Sequence, residues 1–395
     1  MIKWQWRKSA SVCLMSLVIF SAGCGHSPVR NPLAGRSEPK LGALPPVTHQ
    51  ASKSQAKVVW SNGTLGKQPR FSKLTPHIHG QFIYAADRDG KVIALNRVSG
   101  AQMWSINTKK KLSAGPSYAG NMLFLTTADA KVIALNAENG RQVWKAKVPS
   151  EVLAPPTAGQ GVVIVHAIDG SVSAFEQNNG ELRWRYDQSI LPLTLRFSSS
   201  PVIVGDKALV GLASGKLVAF NLQNGLVEWE RVISVPRGRS EIQRMVDITA
   251  DPLVRDEMAY VITYQGKLAA VNATTGDLLW DRDISSYQNM TMDMQHLYVT
   301  DNDHVLWSID RQTGATFWKQ DLLAERYITG PAVVGNKVAV ADRGGYLHFL
   351  SSAKGHLIQQ REISGKFYQP PVSVGREIFT HAHNGKLAAI SSQEG

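Results

Sequence analysis

An all-β, eight-bladed propeller is expected for these 395 residues, on three observations. The first is a motif that returns along the chain: Gly-x-aliphatic-x-Ala-aliphatic-Asn, then a second glycine, three residues and a tryptophan, clearest between Gly90 and Trp104. Its eight starts fall at Gly90, Ala130, Gly170, Gly215, Gly266, His304, Gly345 and Gly385, most of them about 40 residues apart. A β-rich repeat of that length is one four-stranded blade. The second observation is the closing tryptophan, found at Trp104, Trp144, Trp184, Trp229, Trp280 and Trp318, with Gln359 in its place in the seventh copy. The third is the unfinished eighth copy. It ends after Ile390 with no tryptophan of its own, while Trp60 lies 44 residues ahead of Trp104. The strand around Trp60 is therefore expected to supply the outer strand of the last blade, closing the ring and leaving no open edge between the termini.

Each part of the motif has a physical task. Val92 and Ala94 alternate as strand residues do, with the small alanine where space is short. The Asn-x-x-x-Gly segment is hairpin chemistry, because both residues tolerate a left-handed backbone. The tryptophan covers the seam between blades. Burying its ring is worth roughly 4–6 kcal/mol at most, from about 150–250 Å² at ~25 cal/mol/Å².

Upstream of the ring, the first 23 residues combine a basic start with an apolar run from Val12 to Phe20 and then small residues before Cys24. The run is too short for a mature membrane span and reads as a bacterial export signal. Ser21-Ala-Gly-Cys24 is similar to a lipobox, with serine where leucine is usual, and implies cleavage before Cys24 and lipidation of that residue. Gly25 is not the aspartate that commonly retains lipoproteins in the inner membrane, which implies an outer-membrane address. Cys13 leaves with the signal, so the mature chain has no free thiol and no disulfide. Residues 24–55, rich in Pro, Ser, Gly and Lys, are expected to be a flexible tether, with the propeller occupying 56–395.

The net charge of +12 falls to +9 once Lys3, Arg7 and Lys8 depart with the signal. A diffuse positive balance suits anionic lipid or an acidic protein face, and equally a plain solvated surface. No basic run with interleaved aromatics argues for nucleic acid.

The even spacing breaks twice. Gly170 to Gly215 is 45 residues and Gly215 to Gly266 is 51. Insertions in a repeat array go into loops, often on the functional face. The first holds 189–197, with Leu193, Leu195 and Arg196; the second holds 236–249, with Arg244 and Asp247. Aliphatics beside arginine are typical of a protein interface, where the apolar group fills a pocket and the guanidinium finds a carboxylate. The alternative from the residues alone is that the leucines are core and Arg196 pairs internally with Asp247.

Together the eight copies, 84–90, Leu193-Thr-Leu-Arg196, 240–244 with Asp247, and the lipobox resemble the BamB family, lipoproteins of the outer-membrane β-barrel assembly machinery. The resemblance implies docking of Leu193, Leu195, Arg196 and Asp247 onto the periplasmic domains of BamA, with Arg244 beside them. Thr249 stands where the family has a second aspartate, and Asp251 is out of register. The further partners implied are nascent outer-membrane proteins, the other lipoproteins of the machinery indirectly, and outer-membrane lipid through the acyl anchor, at the periplasmic face.

Two other classes compete. The Trp-closed repeat also resembles pyrroloquinoline-quinone dehydrogenases, whose chemistry requires calcium held by acidic and amide oxygens beside the quinone. No acidic cluster or adjacent cysteine pair stands out here, so neither catalysis nor a cofactor is expected. An envelope-polysaccharide platform would need exposed aromatics in the long loops, which offer only Phe197. His77, His79, His381 and His383 put two imidazoles each on the first and last blades, but no acidic or cysteine partner accompanies them and no metal is expected.

Overall fold

A computed structural model describes residues 40–47, 56–70, 72–188, 195 and 197–392. Among these, 32 strands form eight four-stranded antiparallel sheets, with one 3₁₀ turn at Ala324–Arg326. Blades 1 to 7 are each built from consecutive strands and span 77–107, 112–147, 157–186, 202–232, 253–282, 291–320 and 332–362. Blade 8 takes three strands from 372–391 and its outermost from Lys57–Asn62. Trp60 lies opposite Ala389 in that pair, just as Trp104 lies opposite Ala94 in blade 1. The closure expected from the unfinished copy is the one observed.

The motif alanine is small because a tryptophan stands across from it on the outer strand. A bulge follows at once: Leu95 pairs with Gln102, so Met103 is extra and Trp104 can swing off the blade. Each freed ring lands on the second glycine of the next blade. A Cβ on Gly180 would lie 2.5 Å from the ring of Trp144, and one on Gly355 would lie 2.6 Å from that of Trp318. The glycine therefore answers two demands, a positive φ in the turn and a floor for the ring. The indole N–H then donates to a carbonyl of the same turn, Trp60 to Arg97 at 2.8 Å and Trp144 to Gln177 at 2.7 Å. Trp229 is the exception, its Nε1 buried without an acceptor.

Apolar clusters fill the seams, one between each successive pair of blades, including Leu65, Ile83 and Phe379 between blades 8 and 1. In blade 7 the partners exchange sizes, Phe349 standing opposite Gln359. Upstream of the ring, 41–47 packs on the loop between blades 6 and 7. Gly42 N–H donates to Glu325 O at 3.1 Å and the Arg326 guanidinium donates to Gly42 O at 2.9 Å. Gln360 donates to Pro45 O at 3.2 Å, and Val47 joins the seam of Leu323 and Val338.

The two histidine pairs go to different partners. His77 and His79 stack on Tyr118, with ring centroids 6.1 and 3.9 Å away. His381 bonds Leu74 O and Gln68, and burial pushes its pKa down to about 4 against the opposing pull of Leu74 O; His383 meets Tyr368 edge-on.

Candidate docking site

Both long connections run from the outer strand of one blade to the inner strand of the next, 187–201 into blade 4 and 233–252 into blade 5. The second divides sharply. Residues 236–244 are exposed, whereas Met245, Val246, Asp247 and Ile248 are buried as its root. The root is fixed against neighbouring turns: Ile248 N–H donates to Leu212 O at 3.2 Å, and Tyr264 N–H to Asp247 O at 2.9 Å. Gln243 shapes the exposed part, its Oε1 accepting the N–H of Arg239 at 3.0 Å and of Ser240 at 3.3 Å. Arg244 ends that turn and is exposed, beside Ile242 at 52% and near Val235 at 62% exposure.

Asp247 does something other than meet solvent. It is 2% exposed, and its carboxylate accepts the backbone N–H of Leu195 at 2.5 Å. Burial pushes its pKa up to about 7, against the opposing pull of that N–H and of its own. It is thus a tie between the two insertions, and a partner would meet what it positions. Leu195 is half-buried. Leu193 and Arg196 lie outside the described residues, as does Cys24.

A second tie lies four residues on. Asp251 Oδ1 accepts Ser200 N–H at 2.6 Å, and Asn289 Nδ2 reaches its other oxygen at 2.8 Å. Lys73, from the segment ahead of blade 1, donates to Asp251 at 2.8 Å, Ser198 O at 2.8 Å and Thr249 O at 2.9 Å. Thr249 itself is buried, its hydroxyl donating to Tyr287 O at 3.2 Å. The position lacking the second aspartate is therefore an interior one, and the out-of-register Asp251 serves the backbone of the first insertion. Lys73 gave no signal in the sequence: a lone lysine outside every motif, bonded to residues 125 and 176 positions away.

A closed ring of eight four-stranded blades, its two longest connections tied to each other, defines the class as a β-propeller. Its sequence places it more narrowly. The family model described as "Outer membrane protein assembly factor BamB" matches residues 88–320 and 308–395. The chain is 50% identical to the protein of that name from Alkalilimnicola ehrlichii over 88% of its length and 91% of the relative's. It is 41% identical to that from Pseudomonas aeruginosa over 98% and 99%. The chain belongs to the BamB family. The crystal structure of BamB from Moraxella catarrhalis superimposes with a TM-score of 0.78 at 24% identity, over 85% of this chain and 99% of that one. A europium-containing methanol dehydrogenase has the same ring, with a TM-score of 0.70 over 85% of this chain and 93% of that one; at 12% identity it shares the fold alone.

Proposed function

We propose that the chain is an outer-membrane protein assembly factor that acts as a scaffold. Its relatives from Alkalilimnicola ehrlichii, Legionella pneumophila and Pseudomonas aeruginosa carry that name. In this reading the export signal is removed, Cys24 carries the acyl anchor, the tether holds the ring at the periplasmic face of the outer membrane, and the two insertions dock onto the periplasmic domains of BamA. Tethering makes the encounter effectively intramolecular. The observation that carries the reading is the Asp247 to Leu195 tie. It holds Leu195 of the first insertion to the buried root of the second, next along the chain to the exposed turn ending at Arg244. Nascent outer-membrane proteins are the cargo, and the ring orients the domains that receive them.

The test is binding of residues 25–395 to the periplasmic domains of BamA, with Arg196→Glu and Arg244→Glu alongside. A folded Arg196→Glu variant should bind at least tenfold more weakly, as reversal of a partly desolvated charge requires. Wild-type binding in a folded Arg196→Glu variant would remove this surface from the interface. An unfolded variant would assign Arg196 to the core.

A further inference from the structure

Five steps of the chain run from asparagine into glycine, at Asn62, Asn139, Asn179, Asn224 and Asn384. Such a step carries a latent reaction, because a glycine, having no Cβ, lets its backbone N approach the carboxamide carbon of the residue before it. All five carboxamides are held alike. Each Oδ1 accepts the backbone N–H two residues on, at 3.0 Å for Asn62, 2.9 Å for Asn139, 3.0 Å for Asn179 and Asn224, and 3.1 Å for Asn384. That turn closes a ring containing the glycine N and keeps Cγ beside it. The glycines are what differ. Gly140, Gly180, Gly225 and Gly385 have positive φ, and their N–H groups donate within the turn to Asn136 O at 2.8 Å and to Glu176 O, Asn221 O and Ala382 O at 2.9 Å each. Gly63 lies outside the left-handed region, just past the end of the closing strand, and is exposed. Among the described residues its N–H has no hydrogen-bond partner, and a Cβ built on it would meet nothing within 4 Å. The Thr64 hydroxyl adds a second bond to Asn62 Oδ1, at 2.7 Å, and draws electron density from Cγ.

We propose that Asn62 is a site of spontaneous deamidation and that the modification loosens the closure of the ring. Gly63 N gives its proton to a base from solvent and bonds to Asn62 Cγ; the Cγ–Nδ2 bond breaks, ammonia leaves, and a cyclic imide forms. Water then opens the imide at either carbonyl, to aspartate or to isoaspartate, with nothing oxidised or reduced. The turn glycines must first give up a hydrogen bond to react, and Gly63 need not. The product falls on the strand that completes blade 8. Asn62 pairs there with Leu387, and its Nδ2 reaches Gly100 O of blade 1 at 3.4 Å. A carboxylate has no proton to offer that carbonyl and repels it. Isoaspartate also lengthens the main chain by a methylene just ahead of Leu65, which is buried in the seam between blades 8 and 1.

Peptide mapping of residues 25–395, kept folded at mildly alkaline pH, tests the proposal, with fragmentation that separates aspartate from isoaspartate. Asn62 should deamidate about tenfold or more faster than Asn139, Asn179, Asn224 and Asn384, the factor that one turn hydrogen bond supplies. In urea that lead should vanish, since all the steps are then equally free. Gly63→Ala, which fits in open space, should suppress reaction at Asn62 and leave the other asparagines unchanged. Aged native protein, and Asn62→Asp separately, should show faster hydrogen exchange across 57–62 than the fresh native chain; if Asn62→Asp does not fold, the aged protein carries this arm. An Asn62 that reacts no faster than the turn asparagines in the folded state, or whose lead survives in urea, would overturn the site. Exchange across 57–62 unmoved in the aged protein would overturn its action on the closure.

Discussion

The buried carboxylate of Asp247 accepts the N–H of Leu195 at 2.5 Å, across 52 residues of chain. With the tie of Asp251 to Ser200, this hydrogen bond joins the two connections that interrupt the repeat, and it does so with a group whose charge is costly where it sits.

That cost gives a pH dependence with a definite sign. Asp247 has its folded pKa raised to about 7, against about 3.9 for an ordinary aspartate. The folded state holds the proton more tightly, so stability falls as pH rises from about 4 through about 7, and the full penalty stands above that. Asp247→Asn keeps an acceptor for Leu195 and never ionises. It should be more stable than the native chain at pH 8, by up to about 4 kcal/mol from the shift alone. The two should converge near pH 4. Parallel melting curves across that range would show that Asp247 titrates normally.

The seams predict a contrast between glycines. Gly180 has φ 75° and a ring 2.5 Å from where its Cβ would lie, whereas Gly205 has φ 55° and nothing within 4 Å. Gly205→Ala should cost about 1–2 kcal/mol, the backbone penalty alone. Gly180→Ala adds overpacking against Trp144 and should cost about 1–3 kcal/mol more. Urea midpoints decide between them, and equal losses would mean that the ring moves aside freely.

Much of the ring was legible because its determinants are local and repeated. Tryptophan, glycine and asparagine recur at fixed offsets, and even the exchange of sizes in blade 7 is visible as Phe349 and Gln359 standing where alanine and tryptophan stand elsewhere. The closure by Trp60 follows from counting. The proposed docking surface was legible as extra length and as aliphatics beside arginine, but not in its detail, since an insertion has no period to betray which of its residues turn inward. Asp247 therefore reads as a contact residue although it is buried, and Lys73 does not read at all. Docking of 41–47 was hidden for a related reason: its ties run largely through backbone carbonyls and an N–H, which any sequence supplies, while its composition is that of a spacer.

The tryptophans themselves are not equivalent. Trp184 donates to Leu222 O at 3.0 Å, while the buried Nε1 of Trp229 has no acceptor. Trp184→Phe leaves a carbonyl unsatisfied and should destabilise by about 1–3 kcal/mol beyond the lost packing. Trp229→Phe removes an orphaned donor and should be milder by a similar amount. Identical melting temperatures for the two would show that packing alone sets the seam strength.

Docking of 41–47 bears on the reach of the proposed lipid anchor. Held at Glu325 and Arg326, the chain leaves 15 residues between Cys24 and Lys40, a span of at most about 55 Å, whereas release up to Ala56 would about double it. The contact is intolerant of bulk, for a Cβ on Gly42 would lie 2.7 Å from Glu325 Cβ. Arg326 stays anchored without it, through Nε and Nη2 to the buried Asp342 at 2.7 Å. Gly42→Val should therefore free 41–47 while leaving the ring intact. Hydrogen exchange should rise across that segment with the melting temperature nearly unchanged. In anchored protein on vesicles, a label at the exposed Val235 should lie at a wider range of distances from the bilayer than in the native chain. Unchanged exchange would mean that the seam contact of Val47 holds the segment alone; unchanged distances with raised exchange would mean that the strap does not set the reach.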